Sequence, residues 1–152
     1  MISPFKVLFL ALAVTTCVSL ALHAQEGNLK IKITINNNTV AMGKLESSDT
    51  AQQFAALLPL SLTLEDYSKT EKISDLPEKL TTKGALAAIT PKSGDIAFYA
   101  PWGNLAIFYR DGHHSPGLIK LGEIDSNAEA FNAPGSLNVT IEASKQKLLS
   151  TK

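Results

Sequence analysis

The chain has 152 residues, enough for one domain of ordinary size with a hydrophobic core. Its 14 Lys and Arg balance its 14 Asp and Glu, so it carries no basic footprint of the kind nucleic-acid binding requires. Its single cysteine, Cys17, has no second thiol to pair with inside the chain, which leaves burial rather than disulfides to hold the fold.

Met1 to Ala24 reads as a signal peptide. Lys6 supplies a short positive start, Val7 to Leu22 is almost uninterrupted apolar or small residues, and Leu22-His23-Ala24 ends in the small residue a signal peptidase needs. The apolar run falls short of the roughly 20 residues that span a bilayer comfortably, so cleavage before Gln25 is expected in place of a permanent anchor. The expected destination is the periplasm or the exterior, with no membrane attachment after cleavage. Val14-Thr15-Thr16-Cys17 offers a minority reading as a lipoprotein box, with lipid on Cys17, but Thr16 stands where Gly, Ala or Ser is wanted. The layout is then a signal peptide at 1–24, a linker at 25–28, one β-barrel domain at 29–143 and a polar tail at 144–152.

In the domain, Ile31, Ile33 and Ile35 alternate with Lys30, Lys32 and Thr34, the period of a half-buried strand. Asn36-Asn37-Asn38 accepts turn conformations, and Thr39 to Leu45 resumes the alternation, giving a hairpin. Asp49-Thr50-Ala51-Gln52 reads as a capping box opening a short helix, about 50–58, with Phe54, Leu57 and Leu58 on its apolar side and Pro59 to stop it. Leu60, Leu62 and Leu64 alternate in a following strand. Asp66 to Gly84 is the most polar part of the chain and reads as a long surface excursion.

A short strand within Ala85–Ile89 precedes the aromatic stretch Gly94 to Ile124, where Asp95–Ala100 and Leu105–Arg110 read as strands joined by Pro101-Trp102-Gly103-Asn104. Both faces of this hairpin are largely apolar, as expected when one lines a core and the other is covered. Leu118–Ile124 is another strand, Ser126–Phe131 a helical turn capped by Ser126, and Leu137–Ala143 a last strand. Seven or eight short strands and one good helix define a mainly β protein, a small barrel or sandwich.

Four motifs occur in order: Leu58-Pro59-Leu60-Ser61-Leu62-Thr63-Leu64-Glu65-Asp66-Tyr67, Leu76-Pro77-Glu78-Lys79-Leu80, Gly94-Asp95-Ile96-Ala97-Phe98-Tyr99-Ala100-Pro101-Trp102-Gly103-Asn104 and Ser115-Pro116-Gly117-Leu118-Ile119-Lys120-Leu121-Gly122. Together they resemble the bacterial and archaeal cyclophilin-like domain family. The resemblance implies a closed β-barrel of about eight strands with one or two short capping helices. It implies little about activity, because fold is not function. The Phe-His-Arg signature of the peptidyl-prolyl isomerases is absent, and the only arginine, Arg110, stands in a different motif.

Candidate site residues follow from residue chemistry. A turn tryptophan packs back as a plug at the barrel's end, the plainer reading, or lines a cleft. In the second case Tyr99, Trp102, Asn104 and the His113–His114 loop form one rim of a groove, with Asp66, Tyr67 and Glu78 from the polar excursion on another. Arg110 is a further hydrogen-bond donor, or else simply lies over Phe108 or pairs with Asp111. His113 and His114 are adjacent rather than spaced for a common metal, and no Ser-centred elbow supports a hydrolytic triad, so no metal, no catalytic set and no cofactor are assigned. The expected function is an exported module that binds a small molecule or peptide. The alternative is an enzyme, of the peptidyl-prolyl isomerase type or another small isomerase or hydrolase.

Overall fold

A computed structural model describes residues 28–144. The signal segment and the tail beyond residue 144 lie outside the described residues. The chain forms β1 (Leu29–Ile35), β2 (Thr39–Leu45), helix α1 (Asp49–Ala56), β3 (Leu60–Tyr67), β4 (Glu71–Asp75), β5 (Ala88–Ile89), β6 (Asp95–Tyr99), β7 (Asn104–Phe108), β8 (Ser115–Pro116), β9 (Leu118–Ser126), a 3-10 turn (Ala128–Asn132) and β10 (Leu137–Ala143). Eight strands close into an antiparallel barrel in the order β1-β10-β3-β4-β7-β6-β9-β2, and β5 pairs with β8 in a separate small sheet.

The first hairpin forms as its alternation predicts. Ile31, Ile33 and Ile35 are buried, and Asn36 and Asn37 make the turn with φ of 48° and 63°, which Asn tolerates better than most residues. Helix α1 starts one residue earlier than expected. Ser48, not Asp49, caps it: its Oγ accepts from the Ala51 N–H at 3.3 Å, leaving Asp49 in the first turn, where a carboxylate suits the helix dipole. Phe54 is fully buried against the barrel interior.

The polar stretch 66–84 is not one excursion. β3 runs on to Tyr67, the chain turns through Ser68 and Lys69 at φ of 52° and 53°, and β4 returns as a barrel strand between β3 and β7. Hydrophobic pattern hid this strand because its inward volume is supplied by Lys72. That side chain is wholly buried, its stem filling core space while Nζ donates to the Gly135 carbonyl at 2.7 Å and pairs with Asp66 Oδ1 at 3.2 Å. Beyond Asp75 the chain does run over the surface, but not loosely. Leu80 is buried, the Thr81 N–H donates to Gln53 Oε1 at 2.6 Å, and Thr50 Oγ1 donates to the Thr81 carbonyl at 2.8 Å, tying the connection to α1.

The central hairpin pairs Ile96 with Ile107, Ala97 with Ala106 and Phe98 with Leu105. Ile96, Phe98, Leu105 and Ile107 enter the barrel core, whereas Ala97, Ala106 and Phe108 form an outer cluster with Leu118. The helical turn near residue 130 is a 3-10 turn preceded by Asn127 in the left-handed region, with no side-chain cap. The expected cap, Ser126, is instead the last residue of β9, opposite Met42.

Closure depends on the β2–β9 seam. A Cβ on Gly122 would lie 2.1 Å from the Lys44 carbonyl oxygen and 2.9 Å from Leu45 Cα, and one on Gly43 would lie 2.6 Å from the Glu123 carbonyl oxygen. The register also shifts by a bulge between Met42 and Gly43. Replacing Gly122 by Ala forces backbone apart and is expected to lower stability by about 1–3 kcal/mol or more, as overpacking does. Urea unfolding of Gly122→Ala measures this, and an unchanged midpoint would show that the seam does not need the close approach.

Candidate ligand-binding site

The site is built on the outer face of the central hairpin. Strand periodicity sends Ala97, Ala106 and Phe108 outward, and Ile73, Ile89, Tyr99 and Leu118 pack with them. The β5–β8 pair supplies part of this cover. Beside the covered area a cleft of about 320 Å³ remains open, at the low end of the range for small-molecule sites.

The hairpin tip provides the aromatic wall. Gly103, at φ 73°, turns the chain sharply, and the N–H groups of Trp102 and Gly103 both donate to the Tyr99 carbonyl, at 3.3 and 2.8 Å. Trp102 is consequently held out from the barrel with 56% of its surface exposed, so it does not plug the barrel's end. Tyr67 and Tyr99 pack edge-on against it, with ring centroids 5.6 and 5.3 Å away and ring planes at 88° and 82°. Such pairs hold one another at fixed angles while leaving ring surface free.

The polar groups come from three places. Asn104 opens β7 and is buried, and its Oδ1 is the one buried side-chain N or O atom among the described residues without a hydrogen-bond partner. Glu71, at the start of β4, sits across the ladder from Phe108 and borders the cleft. Burial pushes its carboxyl up to about 7. His113 and His114 complete the rim from the loop after β7. That loop is anchored by Asp111, which accepts from the Ser93 N–H at 2.9 Å and from Lys92 Nζ at 3.1 Å, the first bond being the main reason its carboxyl is held below the usual range. His114 Nδ1 lies 3.3 Å from Thr90 Oγ1. Among the described residues no three His, Cys, Asp or Glu side chains gather closely enough to hold a metal ion.

Of the residues picked out in the sequence, Tyr67, Tyr99, Trp102, Asn104, His113 and His114 come together here. Three do not. Asp66 is committed to Tyr109, whose hydroxyl donates to it at 2.6 Å, and to Lys72. The Tyr109 bond is the largest cause holding the Asp66 carboxyl low, and burial followed by that bond raises the Tyr109 phenol to about 12. Arg110 lies over the Tyr109 ring at 5.8 Å, neither over Phe108 nor paired with Asp111, whose partner is Lys92. Glu78 is exposed on the connection that packs along α1 and does not line the cleft. Glu71 and Phe108 were missed. Phe108 was legible as an outward-facing strand residue, but Glu71 lay in a stretch with no strand pattern to orient it.

Residues 33–142 match the Cyclophilin-like family. The chain belongs to that family, and its closed eight-stranded barrel is the corresponding fold. Among solved structures it is similar to a hypothetical protein from Archaeoglobus fulgidus, with a TM-score of 0.59 and 15% identity, over 81% of this chain and 100% of that one. Comparison with curated proteins finds no significant match.

The half-buried Glu71 carboxyl has a consequence for stability. Because Glu71 holds its proton more tightly folded than unfolded, its contribution is fully present below the ordinary carboxylate range and is lost as pH rises through about 7. Asp66 and Asp111 are shifted the opposite way and act only at acid pH. Glu71→Gln is therefore expected to flatten a fall in melting temperature between pH 5 and pH 8. Melting curves of both proteins across that range check this, and parallel curves would count against it.

Proposed function

We propose that the protein is an exported binding module that holds a small ligand, or one side chain of an extended peptide, in the cleft beside Trp102. The observation that carries this reading is the convergence of an exposed tryptophan, two tyrosines at right angles to it, and an unpartnered buried Asn104 Oδ1 around one opening. Exposing so much ring surface forgoes burial, and leaving Asn104 Oδ1 unpaired costs about 1–3 kcal/mol. Both costs are recovered when a ligand covers the rings and donates to the amide.

One observation favours a second reading. A carboxyl raised to about 7 beside two histidines is the sort of group that serves as a general acid or base near neutral pH, which would make the protein an enzyme acting through Glu71. Proline isomerisation draws no such support, since Arg110 lies outside the cleft.

A thermal-shift screen with metabolites and proline peptides tests binding, because a ligand that prefers the folded state raises the melting temperature. Trp102→Ala is expected to abolish the shift from any cleft ligand while lowering stability by no more than about 1–2 kcal/mol, the scale of its ring contacts. Large destabilisation with no ligand found would return Trp102 to a structural role. Export rests on the composition of residues 1–24. Mass spectrometry of the chain recovered from a secreting host is expected to find Gln25 at its N-terminus, and an uncleaved or lipidated product would overturn that.

A further inference from the structure

We propose that the group held in the cleft is a guanidinium, a flat cation with in-plane N–H donors, as on an arginine side chain or a small guanidine metabolite. This rests on the reading of the cleft as a binding site and names its chemistry.

The ionisable side chains at the cleft are Glu71, His113, His114 and the phenols of Tyr67 and Tyr99, and no lysine or arginine lines it. The Glu71 side chain makes no hydrogen bond or ion pair among the described residues. Of the cations near it along the chain and ladder, Lys72 points into the barrel toward Asp66 and the Gly135 carbonyl, Arg110 lies on Tyr109, and Lys69 is exposed in the turn before β4 and does not line the cleft. Within the cleft, no lining side chain pairs with the Glu71 carboxylate when it is ionised, and a bound cation can do so.

Three features select the kind of cation. The rings of Tyr67 and Tyr99, each nearly perpendicular to Trp102, build an aromatic wall whose π faces attract a positive charge, best one that gives up water easily. The buried acceptor Asn104 Oδ1 asks for an N–H, which a quaternary ammonium lacks. A guanidinium meets both needs, being weakly hydrated on its faces and carrying donors in its plane that match a carboxylate. A lysine-type ammonium has the donors but holds its water more strongly.

The charge makes the binding pH-dependent. A bound cation favours ionised Glu71, so affinity rises with pH through the titration of that group. The ionisable groups around Glu71 are the Tyr67 phenol opposite it on β3, Tyr109 just after β7, Tyr99, and His113 and His114 from the following loop, with Lys69 exposed in the turn before β4. Histidine is the side-chain type whose charge changes in this pH range, and a protonated imidazole would repel a bound cation. The Glu71 contribution is therefore read against a His113→Ala/His114→Ala variant.

The test is titration of the protein with agmatine, followed by fluorescence of Trp102, the only tryptophan, at pH 6 and pH 8. Agmatine is expected to bind about tenfold tighter at pH 8 in the histidine variant, as a carboxyl titrating near 7 requires, and by at least that factor in the wild type. Glu71→Gln, checked for folding by its melting temperature, is expected to lose both the affinity and the pH dependence, and Asn104→Ala to weaken binding at both pH values. The ureido analogue of agmatine, close in shape and keeping the terminal ammonium but with a neutral group in place of the guanidinium, and tetramethylammonium, charged but without donors, are expected to bind at least tenfold more weakly. An arginyl tetrapeptide amide run beside agmatine separates a peptide source from a free metabolite. Equal binding of the ureido analogue, or agmatine affinity unchanged in Glu71→Gln, overturns the guanidinium assignment. If other compounds move Trp102 fluorescence and guanidines do not, the assignment fails while the cleft stands. If nothing moves it, both fail.

Discussion

The barrel closes where β2 meets β9, and closure there requires two backbones nearer than any side chain permits. Gly43 and Gly122 face carbonyl oxygens of the opposite strand at distances no Cβ tolerates, and the bulge beside Gly43 takes up the curvature. Once that seam is joined, every barrel strand has two neighbours and no barrel edge is left to recruit another chain. Ion pairs flank the seam but only at the surface: Lys44 reaches Glu123 at 2.8 Å and Asp125 at 3.4 Å, all partly exposed, where such pairs add little. Close packing of glycine backbone, not charge, makes the ring possible.

Closure also decides where a ligand can go. The interior is filled by isoleucine, leucine and phenylalanine side chains together with the stem of Lys72, so the barrel offers no central cavity of the kind larger barrels use. The open volume lies instead on the outer face of β4 and β7, where the β5–β8 pair covers part of the surface and stops short of Glu71, Asn104 and Trp102. A rigid sheet thus carries Glu71 and Asn104, while the hairpin tip and the Asp111-anchored loop carry the aromatic and histidine rims. Fixed polar groups on strands with more adaptable rims on loops suit selective binding.

Two lysine environments show how the same residue type serves opposite ends. Lys72 is buried whole and is accommodated because its ammonium meets a backbone carbonyl and the carboxylate of Asp66. That commitment removes Asp66 from the candidate site and ties the end of β3 to the Gly135 turn before β10. Lys92, by contrast, is exposed and helps Asp111 hold the histidine loop, where loss of the pair would loosen the rim and leave the core unaffected.

The sequence by itself determined the elements whose chemistry is local. Alternating isoleucines define β1, the three asparagines its turn, Pro101 to Gly103 the hairpin tip, although Asn104, read with that loop, opens β7, and the alternation from Leu137 to Ala143 the last strand, because strand period and turn preference are properties of neighbouring residues. The Tyr99, Trp102 and Asn104 wall was legible for the same reason, as positions close together on one hairpin. Only the tertiary structure decided the rest. β4 is a strand because β3 and β7 flank it and the barrel admits Lys72, which no hydrophobic period announces. Glu71 faces the cleft because its neighbour faces the core, and Asp66 leaves the site because a phenol 43 positions away binds it. Those outcomes depend on which distant groups meet after closure, and local pattern carries no information about that.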